Sequence, residues 1–417
     1  VRVFTDARAL RFAQPALPED PPMKSATVRA AARPDPSNAS YLGRADRRAL
    51  LRTGAGSLAM MAAGGLFGGR VAIARTLDSP AQVPVVDRLS VRVVTDSYHH
   101  AFEPSRAYGP VQVQRLGFAV APRTPPQRTL QNEWGLALHL ESARASETRQ
   151  VLIDFAYTSE TLLNNMLLAG IDASKLDAMA LSHGHYDHFG GMVGFLKANK
   201  GKLKAGLPFY LGSEECFCSR ELNVPGEAGS FGALDRQAIQ DAGLTVTFAE
   251  KPSLLADHGF TTGSIPRASF ERVLAPTRMS VGVTAGLGCA PAGLPEAKRA
   301  ITLAPDDFEH EQATAYHVKG RGLVVMTSCG HRGIVNSVRT AMKVSGIDKV
   351  HAVLGGFHLA PHSAEYQRQT LNELKALNPD VLIPMHCSGE TFISMVQQEM
   401  GDKFIRSSTG TRFTFQA

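Results

Sequence analysis

The chain has 417 residues, 44% hydrophobic and 20% charged, an ordinary globular balance with enough apolar residues for a large core. Its formal charge is +6, but residues 1–75 hold twelve Lys/Arg against five Asp/Glu, a net +7, so the remainder sums to about −1. The basic balance belongs to the leader and gives no argument for nucleic-acid binding.

Residues 1–45 are rich in Pro, Ala and Arg, show no periodicity, and read as a disordered leader. Position 1 is Val and a methionine stands at Met23, so translation is expected to start downstream of Val1. Asp46-Arg47-Arg48-Ala49-Leu50-Leu51-Arg52 has the form of a twin-arginine export motif. A Gly/Ala-rich, weakly apolar stretch follows from Thr53 to Ala74, and Val71-Ala72-Ile73-Ala74 offers the small residues a signal peptidase needs. The stretch is too broken for a stable membrane anchor, since a span needs about 20 predominantly apolar residues. Residues 46–75 are therefore expected to be a cleaved twin-arginine signal and 76–417 the mature chain. The translocation machinery is the expected partner, and the destination is periplasmic or otherwise exported.

Val85 to Thr95 is a β-branched run and a first strand. Residues 97–130 lack periodicity and read as an irregular insertion. Strands are expected at Leu136–Leu140 and Gln150–Phe155, then a helix capped by Thr158 or Ser159 and stopped at Gly170. Leu176–Leu181 is a short strand and Met192–Ala198 a helix. Residues 212–300, rich in Gly, Pro and Ser, are expected to hold insertions over the site. Strands at 322–327, 350–354, 381–384 and 412–415 alternate with helices at 334–344, 364–377 and 390–400. No linker divides the mature part. The five cysteines are an odd number and give no disulfide framework, and Cys216 with Cys218 reads as a partly buried loop pair.

The chemistry gathers at strand ends. His183, His185, Asp187 and His188 fall within six residues, two positions after a strand. Imidazole and carboxylate at this spacing suit Zn, Mn or Fe, with Gly184 keeping the turn narrow. One turn cannot complete two coordination spheres, and His331, His358 and His386 each follow a later strand. His331 and His386 read as ligands. His358 is left as a ligand, a proton shuttle or a substrate-binding donor. His99, His100, His139, His258, His310, His317, His351 and His362 read as surface or packing residues.

The run His183-Gly184-His185-Tyr186-Asp187-His188-Phe189-Gly190-Gly191 resembles the first motif of the metallo-β-lactamase superfamily. Four later segments resemble its dihydropteroate-synthase-related branch of metal-dependent hydrolases. They are Ser328-Cys329-Gly330-His331, Leu354-Gly355-Gly356-Phe357-His358, Pro384-Met385-His386-Cys387 and Thr262-Gly263-Ser264-Ile265-Pro266-Arg267. The resemblance implies an α/β fold, a four-layer αββα sandwich forming a single catalytic domain with two metals at one edge. His183, His185 and His331 would hold one divalent ion, and Asp187, His188 and His386 the other, most simply Zn. The superfamily's bridging aspartate looks replaced by His358, and Asp154 would orient a ligating histidine. Catalytic roles are expected for Asp187 and His358. Arg267 and Glu133 are expected at a small, anionic substrate, Glu133 from a segment where Trp134 replaces the branch's histidine. The implied activity is metal-assisted hydrolysis, with a pterin-related transfer or a non-hydrolytic metal protein as alternatives.

Overall fold

The computed structural model describes residues 70–417 apart from 118–126, 225–228 and 275, and these residues lie in one compact unit. The twin-arginine motif and most of the apolar stretch lie outside the described residues. No described helix is long and apolar enough to cross a membrane.

Side-chain alternation along the buried strands generates the layers. On Glu147–Ile153, Val151 and Ile153 enter one core while Leu152 enters another. On Gly322–Thr327, Val324 and Met326 join the first of these cores, and Leu323 and Val325 a third. Such strands are apolar on both faces because both faces are covered. The shared core lies between two sheets, one of ten described strands and one of seven. Helices Ser159–Ala169, Met192–Ala198 and Arg236–Asp241 cover the first sheet's outer face, through residues such as Leu162, Phe195 and Ile239. Helices Ile334–Ser345, Ala364–Leu377 and Glu390–Glu399 cover the second through Val338, Leu371 and Phe392. The result is the expected αββα sandwich.

Most expected elements form within a few residues of their expected bounds. Thr158 caps the first of these helices by accepting from Thr161 N, and Gly170 ends it at φ 68°. Three expectations are corrected. The insertion at 97–130 contains strands Arg106–Tyr108 and Val111–Gln114, which extend the first sheet beside Arg412–Gln416. Residues 212–300 are not only insertions, because Thr245–Phe248 lies inside the first sheet and Ser253–Leu255 and Gly259–Thr261 in the second. Among the described residues, sheet pairing also occurs ahead of the boundary expected at 76. Arg70–Ile73 pairs in parallel with Thr245–Phe248, and Ala74 is buried.

Strands Gly322–Thr327, Val350–Gly356 and Val381–Met385 run parallel, so the loops after them leave the same edge. These loops carry His331, His358 and His386. In the other sheet the loop after Ala178–Ala180 carries the histidine run.

Candidate metal centre

The structure brings His183, His185, Asp187, His188, His331 and His386 together, each at most 5% exposed. The His183 ring lies 4.9, 4.3 and 4.8 Å from the rings of His185, His188 and His331. Asp187 Oδ2 lies 3.4 Å from His188 Nε2 and 3.3 Å from His386 Nε2.

Acids behind the rings decide which nitrogen faces inward. His188 Nδ1 donates to Asp154 Oδ2 at 2.8 Å, leaving the Nε2 lone pair for the site. Ser182 Oγ donates to the same oxygen at 2.9 Å, so it accepts from His183 Nδ1 at 2.9 Å. That leaves His183 Nε2 free. His185 turns the other way, because Thr277 Oγ1 donates to Asp306 Oδ2 at 3.0 Å and so accepts from His185 Nε2 at 2.9 Å. Its Nδ1 is the nitrogen left for a ligand. His386 presents Nδ1 to Asp96 Oδ1 at 3.7 Å.

The atoms left over test whether metal ions fit. His183 Nε2, Asp187 Oδ1, both nitrogens of His331 and Nε2 of His386 are buried without a hydrogen-bond partner. A buried polar atom left unpaired costs roughly 1–3 kcal/mol, and several gathered in one place fit a set of metal ligands better than a packed core. Protonation points the same way. Burial and neighbouring imidazoles hold His183 and His331 well below the usual histidine range, and burial takes His185 to about 3. Neutral imidazole is the form that binds metal. Burial opposes charge on His188 too, but the carboxylates of Asp187 and Asp154 outweigh it and raise it to about 9. The acidic group of Glu215, Asp307 and Glu309 is different, since the Lys298 ammonium already reaches all three at 2.8, 2.8 and 3.1 Å.

Several residues outside the motifs build the turn. Arg220, 1% exposed, donates to Asp306 Oδ2 at 3.1 Å, to Cys218 O at 2.7 Å and to His310 Nε2 at 3.0 Å. Its guanidinium packs on Gly184, where an added Cβ would lie 2.4 Å from Nη1. His310 accepts from Gly184 N at 3.2 Å and faces Glu215 Oε2 at 3.3 Å. It is thus a brace of the metal turn and not the packing or surface residue its neighbours in sequence imply. Cys218 is bonded to Cys289, which corrects the reading of Cys216 and Cys218 as a loop pair and ties down the segment carrying Arg220. No short-range pattern marks these residues, because their partners lie far along the chain.

Of the remaining expected residues, His358 is half-buried at φ 46° with its ring 3.9 Å from that of His331. It groups with Cys329 and Cys387, not with Asp187. Glu133 is corrected. Its Oε1 accepts from Tyr157 N and Thr158 N at 2.8 Å and its Oε2 from Thr158 Oγ1 at 2.6 Å. Both oxygens hold the turn before Ser159–Ala169, which gives Glu133 a structural role there. Arg267 is exposed and sits beside Arg332, whose guanidinium is lowered by burial and by this neighbour. Trp134 is 51% exposed and stacks on the His386 ring at 4.6 Å.

Residues 144–205, from the second strand of the central hairpin through the histidine run, match the profile of the metallo-beta-lactamase superfamily. The chain is similar to the 7,8-dihydropterin-6-methyl-4-(beta-D-ribofuranosyl)-aminobenzene-5'-phosphate synthase of Methanocaldococcus jannaschii. The two are 28% identical over 289 residues, covering 68% of this chain and 90% of the relative. An uncharacterized protein of the same organism is 24% identical over 60% of this chain and 83% of its own length. Among solved structures, a metal-dependent hydrolase of the beta-lactamase superfamily superposes with a TM-score of 0.55 at 21% identity. That match covers 78% of this chain and 98% of the other. It is a likeness of fold.

Proposed function

We propose that this chain is a metallo-β-lactamase superfamily member acting as a dinuclear metal-dependent hydrolase, a reading supported by its similarity to that family's profile and relatives. Its target is the phosphoryl, sulfuryl or acyl centre of a small anionic molecule. The supporting observation is that His183 Nε2, Asp187 Oδ1 and His331 Nε2 are buried without a hydrogen-bond partner in one cluster, where Asp154 fixes the rings of His183 and His188. His183, His185 and His331 would hold one ion and Asp187, His188 and His386 the other, Zn before Mn or Fe. Divalent ions there supply an acidified water and polarise the oxygen under attack.

The chain's own residues supply binding and proton handling. Arg267 is exposed beside Arg332, whose buried guanidinium donates to Ile265 O and Asp307 O, and offers a guanidinium for substrate negative charge. Trp134 leaves half its surface free for a planar group. His358 stands against His331 to protonate a leaving group.

Export through the twin-arginine pathway is part of the proposal. The Cys218–Cys289 disulfide suits an oxidising compartment. Replacing both Arg47 and Arg48 by lysine should retain the chain in the cytoplasm, and undiminished export would remove this part.

A second reading, a pterin-related transferase, is favoured by the relative named as a synthase. An exported chain is poorly placed for cytosolic biosynthesis, so hydrolysis ranks first. The Zn- or Mn-loaded protein should cleave one class among chromogenic phosphodiesters, phosphomonoesters, sulfate esters and lactones. Turnover only with a pterin donor and an aminobenzene phosphate acceptor would establish the second reading instead.

A further inference from the structure

The thiol of Cys329 occupies the middle of the metal centre. Its Sγ lies within 4.8 Å of ligand atoms of Asp187, His188 and His386, and also within 4.8 Å of ligand atoms of His183 and His331. It thus groups with ligands expected for each ion, though His185 joins neither group, and it forms a third group with His358 and Cys387. His358, expected in the place of the superfamily's bridging aspartate, joins neither of the first two groups.

The contacts of Cys329 also set it apart from the neighbouring thiol. Cys387 Sγ is engaged by backbone, receiving His358 N at 3.3 Å and lying 3.6 Å from Cys329 O. Cys329 Sγ faces His188 Nε2 at 3.1 Å as well as lying within 4.8 Å of the Cys387 thiol. With His188 Nδ1 donating to Asp154, Nε2 is the nitrogen turned to the site, so the sulfur stands against an atom expected to hold metal. Two ligands of one tetrahedral ion, at about 2.0 Å for nitrogen and 2.3 Å for sulfur, stand about 3.5 Å apart, within a few tenths of an ångström of this contact. Cys329 is 3% exposed, so no solvent competes for its sulfur.

We infer that Cys329 is a metal ligand, a thiolate bridging the two ions in place of a carboxylate. The inference rests on the metal-centre reading above. On metal entry the Sγ–H bond breaks, sulfur–metal bonds form, and the proton leaves to solvent, with no change of oxidation state. A thiolate bridge carries the single negative charge that an aspartate bridge would. It also favours Zn, Fe or Co over Mn, because thiolate is a soft ligand.

Cobalt substitution separates this inference from its premise. The full chain is stripped of metal, loaded with Co(II), and read by near-ultraviolet absorption and by metal content. The parent should show a thiolate-to-cobalt charge-transfer band that Zn(II) abolishes. The band should persist in Cys387→Ser and vanish in Cys329→Ser, with cobalt still bound through the histidines. Should Cys329→Ser fail to fold, the parent and Cys387→Ser still decide. Cys218 and Cys289 are bonded to each other, and Cys216 lies in neither metal group. A parent that binds cobalt without the band overturns the inference and leaves the metal centre standing, as does a band that survives Cys329→Ser. A parent that binds no cobalt, zinc or manganese overturns both.

Discussion

Replacing Asp154 by asparagine should weaken metal binding about ten- to a hundredfold, the usual effect of removing a carboxylate that orients ligand histidines. That is about 1.4–2.7 kcal/mol. Asp154 is fully buried and accepts from Ser182 N at 2.8 Å, Ser182 Oγ at 2.9 Å and His188 Nδ1 at 2.8 Å. Asparagine keeps one acceptor but sets an NH2 group against donors. Whichever way the amide turns, His188 or Ser182 meets a donor. If His188 moves its proton to Nε2, that nitrogen loses the lone pair facing the site. If Ser182 turns, His183 loses the acceptor of its Nδ1. One substitution therefore reaches ligands of both ions. Zinc affinity measured by competition with a chromophoric chelator reads the effect, beside a thermal melt of the metal-free protein to separate affinity from stability. Unchanged affinity for both ions would refute the claim that Asp154 sets the tautomers.

Further perturbations test the frame around the site. Gly184→Ala should lower metal content sharply, since its Cβ would stand 2.4 Å from the buried Arg220 guanidinium. Metal analysis of the folded variant checks it, and full loading would show that the turn can shift. Cys289→Ser should destabilise the chain by about 4 kcal/mol, the chain-entropy value for a closed loop of this length, with cysteines 71 residues apart. Denaturant melts with and without reductant read it, and identical midpoints would contradict it. Burial raises the Glu215 carboxyl, but His310 and Lys298 outweigh it and take it from 4.5 to about 2. Its stabilisation, on the order of 3 kcal/mol, is complete above pH 4.5 and fades as pH falls towards 2. Glu215→Gln should flatten that part of the pH–stability curve, and an unchanged slope would count against the ion pair.

The sequence was readable where order is local. The H-x-H-x-D-H run, the Thr158 cap and the strand ends before His331, His358 and His386 all place their residues within a few positions of each other. Burial on both faces also made the central strands stand out as apolar runs. What stayed hidden depends on contacts distant along the chain. Arg220, Asp306 and His310 carry no motif, yet together they hold His185 and Gly184. Glu133 looked like a substrate group because its segment resembles one of the branch with Trp134 in place of histidine, while its partners include the amides of residues 157 and 158. Cys329 was read as part of a motif leading to His331. Only the fold reveals that its sulfur falls between both ligand groups.

The central claim is that this edge of the sandwich holds metal. Mass spectrometry of the purified chain, beside a His183→Ala, Asp187→Ala double variant, tests it most directly. The account predicts about two divalent ions per chain in the parent, lost in the double variant. A parent that stays metal-free after reconstitution with Zn, Mn and Fe would contradict it.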